Sequence, residues 1–125
     1  ISYVPTTYLA IHNANMLAAG FLARVYEHTK DETLRQMATD AVSYTVGAQQ
    51  PDGSWWYGEE SKFHWVDNWH TAYVLDSLWW YMQATGDDSR AGDFQAGVRF
   101  WLDSFFLEDG TPRYYPDKTY PIDIQ

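Results

Sequence analysis

The sequence predicts an all-α fold made of antiparallel helical hairpins. Three observations predict it: four segments have the helical periodicity of apolar residues, helices that are apolar all round alternate with helices apolar on one side, and turn residues recur about 56 positions apart. The 125 residues are enough for one domain with a buried core and too few for two. We therefore expect a single all-α domain over residues 1–125.

The first and third helices are apolar on nearly every side, so we expect them to be covered all round, with Trp79 and Trp80 in the core. The second and fourth are amphipathic. The helices pair into a hairpin over about 11–50, a second over about 67–107 and the start of a third at 120–125. The chain begins without methionine and ends without a helix stop signal, so we expect a piece excised from a larger protein. The four helices are predicted over residues 11–29, 32–49, 67–84 and 89–107.

The recurrence is clearest in the turns. Thr29-Lys30-Asp31 aligns with Thr85-Gly86-Asp87, and, with one residue more, Asp52-Gly53-Ser54 aligns with Asp109-Gly110-Thr111. A hairpin of this kind cannot bury its inner helix alone, so stacked neighbours would complete the core. An isolated four-helix bundle with coincidental spacing is the alternative. The two arrangements differ in which helices face a concave centre.

The most specific motif is the turn Gln49-Gln50-Pro51-Asp52-Gly53-Ser54-Trp55. It fits the QxxxGxW pattern of terpenoid cyclase repeats and is similar to a turn of sugar-processing toroids. On this motif the chain resembles the α/α-toroid superfamily, which comprises six-hairpin glycosidase-like enzymes, terpenoid cyclases and protein prenyltransferases. The resemblance implies an (α/α) toroid, of which this chain would form about two hairpins, with inner and outer helices alternating around a central cavity.

The chemistry of that turn indicates a structural role. Pro51 cannot continue the second helix, the Asp-Gly pair that follows favours a tight turn, and Trp55 can fold back over the helix end. In the corresponding later turn, Pro112 and Arg113 stand where the first turn has tryptophans. The motif is therefore not uniformly repeated.

Charge and composition exclude several partners. Eight Lys and Arg residues against 17 Asp and Glu give a formal net charge of −9, which repels nucleic acid and anionic membrane surfaces. No apolar run is long enough for membrane insertion, and the lack of a signal-peptide pattern slightly favours the cytoplasm. The chain has no cysteine, and no phosphate-binding or dinucleotide-binding motif is found. No cofactor and no metal are expected.

If the all-apolar helices are the inner ones, their N-termini and the loops that enter them share one rim of the central cavity. These loops are rich in aromatic rings, carboxylates, amides and imidazoles. Rings stack on the apolar face of a sugar while polar groups bind its hydroxyls, so we predict a carbohydrate site here. Packing between helices is the alternative role of the aromatics. The predicted substrate-binding residues are His12, Asn13, Trp56, Tyr57, Glu59, His64, Trp65, Asn68, Trp69, Tyr120 and Asp123.

The catalytic candidates are Asp67, Asp76 and His70. Asp67 precedes an inner helix, where a carboxylate can cap the helix, react with substrate or do both, and Asp123 stands at the corresponding later position. Asp76 lies well inside the most apolar helix, where a charge is costly. We expect it either to form a buried structural hydrogen bond or to act on substrate. His70 or His64 would be the base of a lyase or epimerase.

The expected function is that of a carbohydrate-processing toroid protein, most similar to a glycoside hydrolase. One alternative is a non-catalytic helical repeat that binds a glycan or a protein. Another is a terpenoid cyclase-like or prenyltransferase-like toroid, although the DxDD acid motif and the zinc-ligating cysteine of those activities are missing. We expect an excised piece to be inactive and to self-associate through exposed hairpin edges. Glycoside cleavage needs two carboxylates roughly 5 to 10 Å apart, and the pairing stays open among Asp67, Asp76, Glu59, Glu60 and Asp123.

Overall fold

The computed structural model describes residues 1–4, 6 and 8–124. Within them, four α-helices and three isolated antiparallel β-bridges occur without any β-strand, so the all-α prediction is confirmed. The predicted start of a third hairpin at 120–125 extends to residue 125, which lies outside the described residues. The helices are α1 (His12–Thr29), α2 (Glu32–Gly47), α3 (Asn68–Thr85) and α4 (Ala91–Phe105), with single 3-10 turns at Ser61–Phe63 and Asp88–Arg90.

α1 and α3 run side by side in the same direction. Near its middle, α1 approaches α3 so closely that a Cβ added to Gly20 would lie 3.3 Å from the Cα of Ser77. One turn further along both helices, the guanidinium carbon of Arg24 lies 4.6 Å from the centre of the Trp80 ring. Because the contacts advance together along both helices, α1 and α3 are parallel. Their N-termini therefore lie at the same end of the molecule.

α2 and α4 pack antiparallel against α1 and α3, respectively. Asn15, near the start of α1, donates to the Ala41 carbonyl at 2.7 Å and to Thr45 Oγ1 at 2.9 Å, near the end of α2. Asn68, at the start of α3, accepts a hydrogen bond of 2.6 Å from Trp101 Nε1, near the end of α4. These buried amides tie each hairpin together at the end where α1 and α3 begin.

The hydrophobic core is built mainly from small residues of α1 and α2 and larger ones of α3, together with Trp55 of the closing turn. Alanines on α1 let the helices approach closely, and the leucines of α3 fill the space that remains. Burying one large apolar side chain stabilises the fold by about 1.5–3 kcal/mol. The core cluster contains Met16, Ala19, Ala23, Ala38, Ala41, Val42, Val46, Trp55, Val74, Leu75, Leu78, Tyr81, Met82 and Ala84.

The ends of α1 and α3 have the same local backbone geometry, as the aligned triplets 29–31 and 85–87 predict. Lys30 and Gly86, the residues after each helix, both adopt the left-handed conformation, with φ of 57° and 70°. The next residues, Asp31 and Asp87, each accept a hydrogen bond from the backbone N–H two positions later, at 2.9 and 3.0 Å. The aligned triplets therefore form the same kind of helix end and the same kind of cap.

The closing turn, residues 49–55, is fixed by its own side chains. Gln49 Nε2 donates to the carbonyl of Asp93 at 3.0 Å and so joins the turn to α4. Trp55 is 3% exposed, and its indole N–H donates to the Thr45 carbonyl at 2.9 Å. The ring covers the end of α2, where a free carbonyl would otherwise need a partner. The structural role predicted for Trp55 is confirmed.

One face of α3 is open, although its composition predicts a helix covered all round. α1 and α4 cover two faces, and no described element covers the third. Trp79 lies on this face with 40% of its surface exposed, so its prediction as a core residue is wrong. The expected buried hydrogen bond of Asp76 is also wrong, because its side chain is exposed and makes no hydrogen bond or ion pair with the described residues. Solvent hydrates the carboxylate there.

Candidate functional site

The N-terminal turns of α1 and α3 are joined by the loop that enters α3. Residues 56–66, which we call the rim loop, lie against α1, where the His12 backbone N–H donates to the Tyr57 carbonyl at 3.0 Å. On the other side, the Asn68 backbone N–H donates to the Tyr114 carbonyl at 3.0 Å. These bonds gather both helix starts, the rim loop and the segment around residue 114 at one end of the molecule, which we call the rim.

Asp67 caps α3 and orients an imidazole at the rim. One carboxylate oxygen accepts from the His70 backbone N–H at 2.8 Å, and the other lies 2.7 Å from His70 Nδ1. The Asp67 side chain is 0% exposed, whereas that of His70 is 24% exposed. An ionised carboxylate only accepts, so Nδ1 carries the hydrogen of this contact, and Nε2 is the ring nitrogen that Asp67 leaves available to a ligand. The predicted N-cap is confirmed, and the same carboxylate fixes the orientation of His70.

Two aromatic rings hold the other sides of His70. Tyr57 and Trp65 stack with centroids 4.3 Å apart and planes 11° apart. The His70 ring meets them edge-on at 4.6 and 5.5 Å. Burial raises the pKa of Tyr57, and the neighbouring Tyr3 and Asp67 act in the same direction, so its hydroxyl is protonated at neutral pH. His70 is therefore fixed by one carboxylate and by neutral rings.

A second aromatic pair faces outward from the rim loop. The rings of Trp56 and His64 stack with centroids 3.6 Å apart, and Trp56 is 37% exposed. His64 Nε2 lies 3.0 Å from the Glu59 carbonyl, which fixes the imidazole. His64 also lines an open pocket of about 540 Å³, a size typical of small-molecule sites. Its lining consists of His64, Trp65, Val66, Tyr115, Pro116, Asp117 and Lys118.

His12 is the second imidazole of the rim and is almost completely buried. Its Nε2 lies 3.5 Å from Glu59 Oε1, with the two side chains 3% and 47% exposed. Burial lowers the pKa of His12, and the Glu59 carboxylate offsets part of that effect. Tyr44 on α2, whose ring centre is 6.1 Å from that of His12, has a pKa raised by burial, by its hydrogen bond to Tyr8 and by Glu59. His12 is therefore a neutral imidazole beside an exposed carboxylate.

A small cavity lies between the two imidazoles. Its volume is about 10 Å³, which is near the lower limit for one water-sized oxygen. Two atoms of residues that line it, His12 Nδ1 and Asn13 Oδ1, are buried without a hydrogen-bond partner among the described residues. Polar groups of both parallel helices thus converge on one point. Other residues around the cavity include Trp56, Tyr57, Asp67, His70 and Thr71.

Asp76 lies away from the rim. It follows Asp67 on the same helix by about 13 Å along the axis. It lines a groove of about 340 Å³ between α3 and α4 together with Trp79 and Trp101, and a neighbouring hollow of about 190 Å³ with Trp69. The structure therefore separates Asp76 and Trp69 from the other predicted site residues.

The remaining predicted residues occupy the border of the rim. The amide of Asn68 is buried and bonded to α4, as described above. Asp123 is 8% exposed. Burial raises the pKa of Tyr114, and the carboxylates of Asp67 and, more weakly, Asp123 raise it further. Tyr120 is 72% exposed and contributes a ring at the outer edge. Asp67 and Asp123, which the recurrence pairs, thus both lie near one tyrosine.

Several residues near the site were not among the predicted site residues, including Asp117 and Lys118 of the open pocket. Thr71 and Val74 line the small cavity, and they follow Asp67 at helical spacing, so the periodicity of α3 could have indicated them. Tyr44 had no such signal, because only the packing of α2 against α1 brings it to His12. Sequence patterns find neighbours on one helix more readily than neighbours across two.

Within the described part of the chain, no three His, Asp or Glu side chains converge as a metal ion would require. None of its helices combines the length and the apolar character needed to cross a membrane. Comparison with known protein families finds no model that matches the chain, and comparison with curated proteins finds no match. The geometry of the rim is therefore the basis for assigning a function.

Proposed function

We propose that this protein binds and processes carbohydrate at the rim. The observation that carries the proposal is the exposed Trp56–His64 stack beside the pocket of about 540 Å³. The C–H face of a pyranose ring stacks on aromatic rings while its hydroxyls bind charged and polar groups. Asp117 and Lys118 supply such groups in the same pocket.

We further propose that the chain forms two hairpins of an (α/α) toroid, with α1 and α3 as inner helices. The recurrence places Asp76 on α3 where Gly20 stands on α1, and α3 approaches α1 closely at Gly20. The open face of α3 thus corresponds to the face with which α1 binds its neighbour. We interpret the groove beside Asp76 as the side on which a further hairpin, or a second copy of the chain, packs.

The rim supports acid–base chemistry on a bound glycan. Glu59 is an exposed carboxylate of the rim loop, and Asp67 leaves His70 Nε2 available to a ligand. A hydrolase with two carboxylates needs a partner for Glu59, and Asp67 does not serve as one because its side chain is 0% exposed. His70 could instead remove a proton, as a lyase or epimerase requires. Glu59 and His70 are therefore the candidate residues for glycoside hydrolysis, for a lyase reaction and for epimerisation alike.

A non-catalytic glycan-binding domain is the second candidate function. It is favoured by the position of the predicted catalytic carboxylates, since Asp67 is bonded into the scaffold and Asp76 lies outside the rim. A terpenoid cyclase-like function has less support, because the rim carries Glu59, His12 and His70 where an apolar ligand would need an apolar lining.

Titration with neutral oligosaccharides, followed by tryptophan fluorescence, tests the binding site. Trp56→Ala should weaken binding about tenfold, because it removes the stacking surface. Trp79→Ala is the matched control: Trp79 is 40% exposed and Trp56 is 37% exposed, but Trp79 lies in the groove between α3 and α4. Equal losses in the two variants, or no loss in Trp56→Ala, would contradict a site at the rim.

Turnover of a bound oligosaccharide separates the enzyme from the binding domain. Glu59→Gln and His70→Gln should abolish turnover and change affinity by less than about threefold, because both side chains would act mainly on the transition state. Asp76→Asn is the control and should leave both quantities unchanged. Binding by the unmodified protein without any turnover would favour the non-catalytic domain.

A further inference from the structure

The small cavity at the start of α1 has a hydrogen-bonding preference of its own. His12 Nδ1 and Asn13 Oδ1 are buried without a partner in the described part of the chain, and both residues line the cavity. The His12 side chain is 3% exposed, so bulk solvent does not satisfy its ring nitrogen. Buried polar atoms are normally hydrogen-bonded, so a group inside the cavity is the expected partner.

Glu59 favours one of the two tautomers of neutral His12. Its carboxylate oxygen lies 3.5 Å from Nε2, and because an ionised carboxylate can only accept, this contact favours a hydrogen on Nε2. Burial and the positive end of α1 both favour the neutral imidazole over the cation. Nδ1 therefore has a free lone pair. Like Asn13 Oδ1, it is a buried acceptor of a residue that lines the cavity.

Two acceptors in so small a space select one kind of group. The cavity of about 10 Å³ has room for a single oxygen. An arginine head group is too large for it, and an anion has no hydrogen to donate. A hydroxyl or water oxygen fits the volume and provides the hydrogens.

We propose that this cavity is a binding site for one O–H oxygen, whose hydrogens are accepted by His12 Nδ1 and Asn13 Oδ1. A water molecule donates to both acceptors at once, whereas a sugar hydroxyl donates to one of them. Trp56 and His70 line the cavity and are partly exposed, so a sugar held at the rim can direct a hydroxyl inward. The oxygen site itself does not depend on the proposed function. The idea that a sugar hydroxyl occupies it does.

A high-resolution crystal structure and nitrogen NMR of the imidazoles test the site without any sugar. We expect an ordered oxygen about 2.7–3.2 Å from His12 Nδ1 and Asn13 Oδ1, and a proton on His12 Nε2. His12→Phe should remove the oxygen, and His12→Asn, whose carbonyl can stand near the Nδ1 position, should retain it. A cavity without ordered oxygen, or a proton on Nδ1, would overturn the proposal.

Monodeoxy sugars distinguish the two sources of the oxygen. If a sugar hydroxyl enters the cavity, one monodeoxy analogue should bind the unmodified protein about tenfold more weakly than the parent sugar and bind His12→Phe as well as the parent does. If the oxygen belongs to water, the affinities of the analogues should follow the same order in the unmodified protein and in His12→Phe. Failure of every sugar to bind would refute the proposed function, while the crystal structure and NMR would still decide whether the oxygen site exists.

Discussion

Trp55 and Trp56 are neighbours in the sequence and have opposite surroundings in the fold. Trp55 is 3% exposed and hydrogen-bonded to α2, whereas Trp56 is 37% exposed and stacks on the His64 ring of its own loop. The first completes the closing turn and belongs to the scaffold. The second opens the rim loop and belongs to the surface. One aromatic run therefore contributes to stability at one residue and to the candidate site at the next.

The largest expected effect comes from truncating these two tryptophans. Trp55→Ala should lower the free energy of unfolding by about 3–5 kcal/mol, because it leaves a cavity between α2 and α4 and removes an indole hydrogen bond. Trp56→Ala should cost less than about 1 kcal/mol. Urea denaturation followed by circular dichroism measures both. Similar losses in the two variants would remove the distinction between the closing turn and the rim loop.

The glycines of the two aligned turns sharpen the same comparison. Gly53 has φ of 95°, and an added Cβ would lie 2.5 Å from the Ala96 carbonyl oxygen. Gly110 has φ of 84° but open space around it. We expect Gly53→Ala to cost about 3 kcal/mol, from backbone strain plus a clash, and Gly110→Ala about 1 kcal/mol, from strain alone. Equal values in thermal unfolding would mean that the closing turn is no more tightly packed than its counterpart.

The aspartates of α3 extend the comparison to charged residues. Asp67→Asn should lower stability by about 1–3 kcal/mol, because it weakens the N-cap and the bond to His70. Asp76→Asn should change stability by less than about 0.5 kcal/mol, since its carboxylate is solvated. Chemical denaturation at neutral pH checks both values. A costly Asp76→Asn variant would show that this carboxylate has a partner in solution.

The smallest effect is a pH dependence from His12. Its pKa in the folded protein lies below the ordinary value of 6.5, so the unfolded chain takes up a proton first as the pH falls. The stabilisation is complete above about pH 6.5 and is lost as the pH falls through that value toward the folded pKa, by at most about 1.4 kcal/mol per pH unit. His12→Gln should flatten this slope, and His28→Gln, at an exposed site on the same helix, should not. An unchanged slope in His12→Gln would contradict a buried neutral imidazole.

Several features of the fold follow from the sequence. Helical periodicity predicted four helices, and all four are present with ends close to those expected. The Pro-Asp-Gly segment predicted a turn, and Asp67 before an apolar helix predicted a cap, because helix ends and turns depend on nearby residues. Trp55 was predictable for the same reason, since its partner Thr45 lies on the helix that the turn closes.

The apolar character of α3 could not show which of its faces is covered. Composition predicted Trp79 in the core, and a buried hydrogen bond was one of two roles expected for Asp76, whereas the packing of α1 and α4 leaves both on the open face. Tyr44 reaches His12 across two helices, and no pattern within one segment records such a contact. Burial on a helix depends on its neighbours, and periodicity describes only the helix itself.

The sequence alone therefore determined the features that depend on interactions over one or two helical turns. These are the helices, their caps, the closing turn and the set of polar and aromatic residues in the rim loop. The tertiary structure alone decided that the Asp67 carboxylate orients His70, that Asp76 lies outside the rim, and that His12 and Asn13 line one small cavity. The physical reason is that the burial and bonding of a side chain depend on helices brought together from distant parts of the chain.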